Sequence, residues 1–137
     1  MDPQTRQRLL SGAALLSLVA AVIHVWVMPE HFEEWWGYGL FFLVSAAAQA
    51  LYAVILLRAP TAIVLRVGII GSLAIIVLWV VTRTTGIPVF GPHAGEIEEI
   101  GAIDIASKLV EVLLVILLAV LLRSASHRPP QTTSLAH

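Results

Sequence analysis

Cysteine is absent from this chain, which excludes disulfides, iron–sulfur clusters, thiolate metal sites and thiol catalysis. Charge is scarce as well: Asp, Glu, Lys and Arg make up 12% of the 137 residues, about half the share of an average soluble domain. So few charges cannot clothe a small globule in water, which argues against an ordinary soluble enzyme and against a disordered chain. No basic face is available for a nucleic acid, so none is expected as a partner. Catalytic signatures are missing too. There is no nucleophile elbow and no serine, histidine and aspartate set, and Gly37 and Gly39 are too few for a phosphate-cradling loop. Nothing in the sequence therefore points to an enzyme.

What the chain does have is apolar surface: 58% of its residues are hydrophobic and its mean hydropathy is +0.90. The apolar residues fall in four runs, Leu9–Met28, Trp36–Leu57, Ile63–Thr82 and Ala102–Leu122. Each is close to the ~20 residues that cross a ~30 Å hydrocarbon core as a helix. Pro29, Arg58-Ala59-Pro60, Gly86-Ile87-Pro88 and Gly91-Pro92 punctuate them. The expected fold is all-α, an integral membrane antiparallel four-helix bundle over residues 1–123, with a disordered polar tail over 124–137. Arg6, Arg8 and the apolar run that follows fit a signal peptide, but Ala20-Ala21-Val22 is a poor cleavage site and the run continues to Met28. A retained first helix is the better reading.

Charge placement orients the bundle. Arg6, Arg8, Arg58, Arg66, Arg123 and Arg128 belong to the N-terminus, the short middle loop and the C-terminus, which four spans bring to one side. By the positive-inside bias that side is cytoplasmic, giving a multi-pass cell-membrane protein with both termini in. Glu30, Glu33, Glu34, Glu96, Glu98, Glu99 and Asp104 gather at the opposite, outer ends. Trp26, Trp35, Trp36, Tyr38 and Trp79 suit an aromatic belt at that outer interface.

Each span also carries a stripe of small or polar residues at helical spacing. These are Ala13, Ser17, Ala20 or Ala21 and His24 in the first, and Glu34, Tyr38, Ser45, Gln49 and Tyr52 at and along the second. Gly68, Ser72, Trp79 and Arg83 mark the third, and Gly101, Asp104, Lys108 and Glu111 the fourth. Such stripes turn inward, because a charge facing acyl chains costs at least ~2.5 kcal/mol, and small residues let helices pack closely. Asp104, Lys108 and Glu111 share one helix face, with Glu111 near mid-bilayer. Gln49, Lys108 and Glu111 thus form a polar seam. It is either an ion network in which Lys108 neutralises both acids or a proton- or ligand-bearing site.

His24 and Asp104 come at similar depths from the outer end and are expected to face one another, with His31 and Glu34 above them. A metal held by His24, His31, Glu34 and Asp104 would have imidazole and carboxylate ligands, which suit Zn²⁺, Mn²⁺ or non-haem iron better than Cu(I). The spacing matches neither H-E-x-x-H nor the paired E-x-x-H of di-iron bundles. Haem is less favoured, because His24 has no histidine partner inside another span. The stretches PEHFEEWWGYGLFFLVSAAAQALYA, from Pro29 to Ala53, and WVVTRTTGIPVFGPHAGEIEEIGAID, from Trp79 to Asp104, resemble small four-span bacterial membrane proteins of unassigned function. That resemblance implies topology and no activity.

The functional expectation is a membrane protein that binds a divalent metal at its outer mouth, in transport, sensing or delivery. Its alternatives are an accessory subunit of a larger membrane complex and a proton-coupled carrier working as a homo-oligomer. The orientation is testable directly. Reporter fusions after Arg58 and after Arg123 should read cytoplasmic and one near Gly95 external. An external reading at Arg58 would overturn the assignment.

Overall fold

The computed structural model describes residues 1–87 and 89–126. It contains four helices: α1 Pro3–Glu34, α2 Trp36–Arg58, α3 Ala62–Thr84 and α4 Ala102–Ser126. Each is long and apolar enough to cross a membrane. The chain is a multi-pass membrane protein built as an antiparallel four-helix bundle. The end holding the α1–α2 junction and the α3–α4 loop is called the mouth below. The opposite end holds the N-terminus and the α2–α3 loop.

The helix starts follow from local chemistry. The Asp2 carboxylate accepts from the Thr5 N–H at 2.8 Å and caps α1, with Pro3 in the first turn, where its missing N–H costs nothing. Hydrogen bonding from Thr5 holds the Asp2 carboxyl below the usual range. Thr61 caps α3 in the same way, accepting from the Val64 N–H. On α4 the Asp104 carboxylate reaches back to the Gly101 N–H at 2.8 Å, the return half of a capping box.

The C-terminal ends of two helices differ from the sequence reading. Helix α1 passes through Pro29 and ends at Glu34. The proline removes the hydrogen bond to the Val25 carbonyl, and the turn that follows carries a separate side-chain bond, the His31 Nδ1–H donating to the Val27 carbonyl at 2.9 Å. The run from Glu30 to Glu34 is therefore a continuation of α1, and Glu34 closes α1 instead of opening α2. Trp35 alone, in extended conformation, turns the chain from α1 into α2. At the other end α4 continues to Ser126, so residues 124–126 are helical; the remainder of the expected tail, 127–137, lies outside the described residues.

Packing is uneven around the bundle. Helix α1 packs on α2 and α4, and α3 packs on α4, whereas α2 and α3 touch least despite the short loop that joins them. Leu10, Ala13, Ala14, Ala53, Leu56, Leu65, Leu114, Leu118 and Leu121 form the buried core, toward the end opposite the mouth. The contact between α2 and α3 is made at that end too, where Tyr52 Oη donates to the Val64 carbonyl at 3.2 Å and covers Gly68. Arg6 ties the N-terminal turn to the Pro60 carbonyl at 3.3 Å. The small-residue stripe of α1 is buried as expected, with Ala13, Ser17 and Ala20 fully enclosed.

Gly68 is the point where α3 is seated. A Cβ there would overlap the Tyr52 ring and press on Leu118, whereas one at Gly71 meets nothing. Gly68→Ala should therefore lower stability in detergent by about 1–3 kcal/mol through overpacking. Gly71→Ala should be neutral or gain up to about 1 kcal/mol from reduced backbone freedom. Equal melting temperatures for the two variants would contradict this seating.

Candidate functional site

The polar residues of three helices meet in the interior through one amide. Gln49 on α2 is buried, and its Nε2 donates to Glu111 Oε1 on α4. Its Oε1 faces His24 Nδ1 on α1 at 2.8 Å. Since the amide nitrogen is committed to Glu111, the side that faces His24 is the acceptor, so the imidazole carries its proton on Nδ1 and leaves Nε2 without a hydrogen bond among the described residues. Ser17 Oγ donates to the Gln49 backbone carbonyl at 2.7 Å, adding a second tie between α1 and α2. Glu111 is fully enclosed, and its Oε2 has no hydrogen-bond partner among the described residues. A glutamine in this position orients its neighbours; it passes no proton without switching its amide to the imidic form. The seam thus clamps His24 through the Gln49 amide.

Above this clamp lies a cavity of about 1020 Å³ at the mouth, bordered by all four helices and the loop of residues 85–101. His24 forms part of its floor, and His31, Glu34, Asp104 and Lys108 also border it. The four residues expected to hold a metal thus surround one space but do not converge. Among the described residues no three of His, Asp and Glu stand close enough to hold a metal ion. His31 is turned to the Val27 carbonyl and stacks on Phe42, ring centroids 4.1 Å apart, while Glu34 is exposed.

The expected pairing of His24 with Asp104 is replaced by two others. His24 takes Gln49, and Asp104 takes Arg83 Nη2 at 2.9 Å. Arg83 also binds Glu98 through Nη1. A guanidinium offers a planar fork that engages two carboxylates at once, which an imidazole cannot match. Lys108, expected to neutralise Asp104 and Glu111, lies within electrostatic reach of both but forms no hydrogen bond or close ion pair among the described residues.

The loop is latched to the helices across the mouth. Tyr38 Oη donates to the Phe90 carbonyl at 3.0 Å, and the Phe90 ring meets Trp35 edge-on at 4.9 Å. The Glu98 N–H donates to the Thr82 carbonyl at 3.1 Å. Gly86 and Gly91 make this path feasible: both have positive φ, and a Cβ at Gly86 would come within 2.6 Å of the Glu96 carbonyl oxygen. The sequence placed Arg83 in the polar stripe of the third span; only the fold shows that it binds two carboxylates. The latch made by Trp35, Tyr38 and Phe90 was missed, because aromatics near an interface read equally well as a membrane belt.

Replacing Gln49 separates the clamp from its members. Gln49→Leu strands both His24 Nδ1 and the Glu111 carboxyl and should cost about 1–3 kcal/mol. Glu111→Gln keeps an acceptor for the Gln49 amide and should stay within about 1 kcal/mol of the parent protein. Denaturation in mixed detergent micelles measures both; a Gln49→Leu variant as stable as Glu111→Gln would show that the bridge carries no weight.

No protein-family model matches the chain, and no curated protein or solved structure does so.

Proposed function

We propose that the protein is a small-molecule-binding membrane protein whose site is the mouth cavity, facing the outside of the cell. The observation that carries this reading is the cavity itself, whose floor is a histidine held in one tautomer. A volume of about 1020 Å³ lies at the upper end of the range for small-molecule pockets. Its lining combines apolar side chains such as Phe42 and Leu78 with a few polar groups, the usual makeup of a ligand site. The Gln49 clamp supports a contact role for His24: a buried imidazole fixed through Nδ1 presents Nε2 as a defined acceptor. The outward orientation rests on the arginines at the opposite end, at Arg6, Arg8, Arg58 and Arg66.

A divalent-metal function draws on the same rim of histidines and carboxylates, but Arg83 already occupies Asp104 and Glu98. A metal at His24 would have to displace that guanidinium or recruit ligands from the loop. A proton-coupled carrier is supported less, because an amide separates the histidine from the interior carboxyl.

The absence of native cysteine provides the test. Ser107 borders the cavity, whereas Ser17 and Ser72 sit in packed interior away from it. In the full-length protein N-ethylmaleimide should modify Ser107→Cys much faster than Ser17→Cys or Ser72→Cys. Equal protection at all three positions would mean that the cavity does not admit a small molecule, and the reading fails. Added Zn²⁺ that slows labelling of Ser107→Cys, and no longer does so after His24→Ala, would favour the metal function instead.

A further inference from the structure

The bundle has one open side, and the chemistry of the cavity indicates what comes through it. Three of the four helix pairs that could close a square bundle are well packed, and the fourth, α2 with α3, is not. Their contact is confined to the end opposite the mouth, at Tyr52, Val64 and Gly68. Toward the mouth the two helices border the cavity instead, with Phe41 and Phe42 on one side and Ile75 and Leu78 on the other. That boundary is apolar on both flanks. The aqueous side of the cavity, by contrast, is crossed by the latched loop, pinned to α2 through Tyr38 and to α3 through Thr82 and Arg83. The less obstructed way in is lateral, between α2 and α3, from the hydrocarbon phase.

Charge selects among lipid-phase molecules. The Arg83 side chain is 10% exposed, and both of its Nη groups are occupied by Glu98 and Asp104. Asp104 is further engaged by the Gly101 N–H. Lys108, one turn deeper on α4, borders the cavity with no close partner among the described residues, since Glu111 accepts from Gln49. Its nearest acids, Glu111 and Asp104, are engaged by Gln49 and Arg83, so the ammonium is incompletely paired at membrane depth, and an occupant that brings a carboxylate completes the pairing. Trp79 Nε1–H and Arg83 Nε–H are buried donors with no acceptor among the described residues. A neutral lipid supplies no counter-charge, and a soluble anion supplies nothing to cover Phe41, Phe42, Ile75 and Leu78.

We propose that the cavity takes an acidic amphiphile of the fatty-acid type from the outer leaflet, through the gap between α2 and α3, with its carboxylate paired to Lys108 and its chain along the apolar gap. This rests on the reading of the mouth cavity as an outward-facing binding site and names the class of its ligand.

Trp79 borders the cavity, whereas Trp26 and Trp36 are 79% and 64% exposed and report on bulk lipid. This permits a quenching experiment on the full chain in phosphatidylcholine nanodiscs, in buffer near neutral pH, where an amine is protonated and a carboxylic acid beside it is ionised. The probes are dibrominated stearic acid and its methyl ester, and the Trp79 signal is the difference between the parent protein and Trp79→Phe. The acid should quench Trp79 with saturation, and the ester only in proportion to its membrane concentration. Lys108→Met should weaken the saturable phase by at least about tenfold, and Lys108→Arg should retain it. Ile75→Phe, which narrows the gap without altering Lys108, should slow the onset of quenching. Equal quenching by acid and ester, or an unchanged affinity in a folded Lys108→Met protein, overturns the choice of ligand. An unchanged onset with Ile75→Phe overturns the lateral route. If Ser107→Cys is reactive while the acid fails to saturate, only the ligand class falls; if Ser107→Cys is protected, the binding site itself falls.

Discussion

One amide in the bundle interior sets the arrangement of three helices. Gln49 accepts from His24, donates to Glu111, and has its backbone carbonyl taken by Ser17, so α1, α2 and α4 are joined at a single depth. In water each of these groups would find a partner anywhere. Surrounded by apolar side chains and lipid, they must find one another or remain unsatisfied. Satisfying them fixes the rotation of α1, α2 and α4 about their axes, which in turn places the small-residue stripe of α1 against its neighbours.

Helix α3 is outside that set, and its exclusion shapes the molecule. It is held at one end by the fit of Gly68 beneath Tyr52 and Leu118, and at the mouth by the Arg83–Asp104 pair. Both attachments draw it toward α4 or toward the far end of α2. Among the described residues its mouth half makes no hydrogen bond or ion pair with α2, and the space between them stays open as a cavity. The polar groups around that cavity are unequally matched. Arg83 is shared by two carboxylates and Lys108 is shared by none at close range, which leaves a cationic spot on an apolar wall.

Much of this was legible in the residues. Hydropathy located all four helices, and the periodicity of His24, Ser17 and Ala13, and of Gly68 and Ser72, identified the inward faces. That works because lipid penalises an outward polar group and the 3.6-residue repeat is strict. Glu111 and Gln49 were recognisable as seam residues for the same reason. Which partner each took was not. His24 and Asp104 share a depth, but depth leaves open the choice between an imidazole and a guanidinium for the same carboxylate. Arg83 prevails because its fork engages Asp104 and Glu98 together. Pro29 was misleading in its turn: it reads as a helix end, yet so near the terminus it forfeits one hydrogen bond, to the Val25 carbonyl, and the helix continues for one more turn with His31 bonded to the Val27 carbonyl.

By itself, then, the order of apolar and polar residues determined the number of helices, their approximate spans and the face that each turns inward, since these depend only on hydropathy and helical period. The charge distribution indicated which ends belong together for a similarly local reason. Tertiary structure alone decided that α2 and α3 part near the mouth, that the loop lies latched over the opening, and that Lys108 is left without a close partner. Those features arise from competition among side chains distant in sequence for a limited set of partners. The outcome depends on how closely whole helices can approach, which no single stretch of the chain encodes.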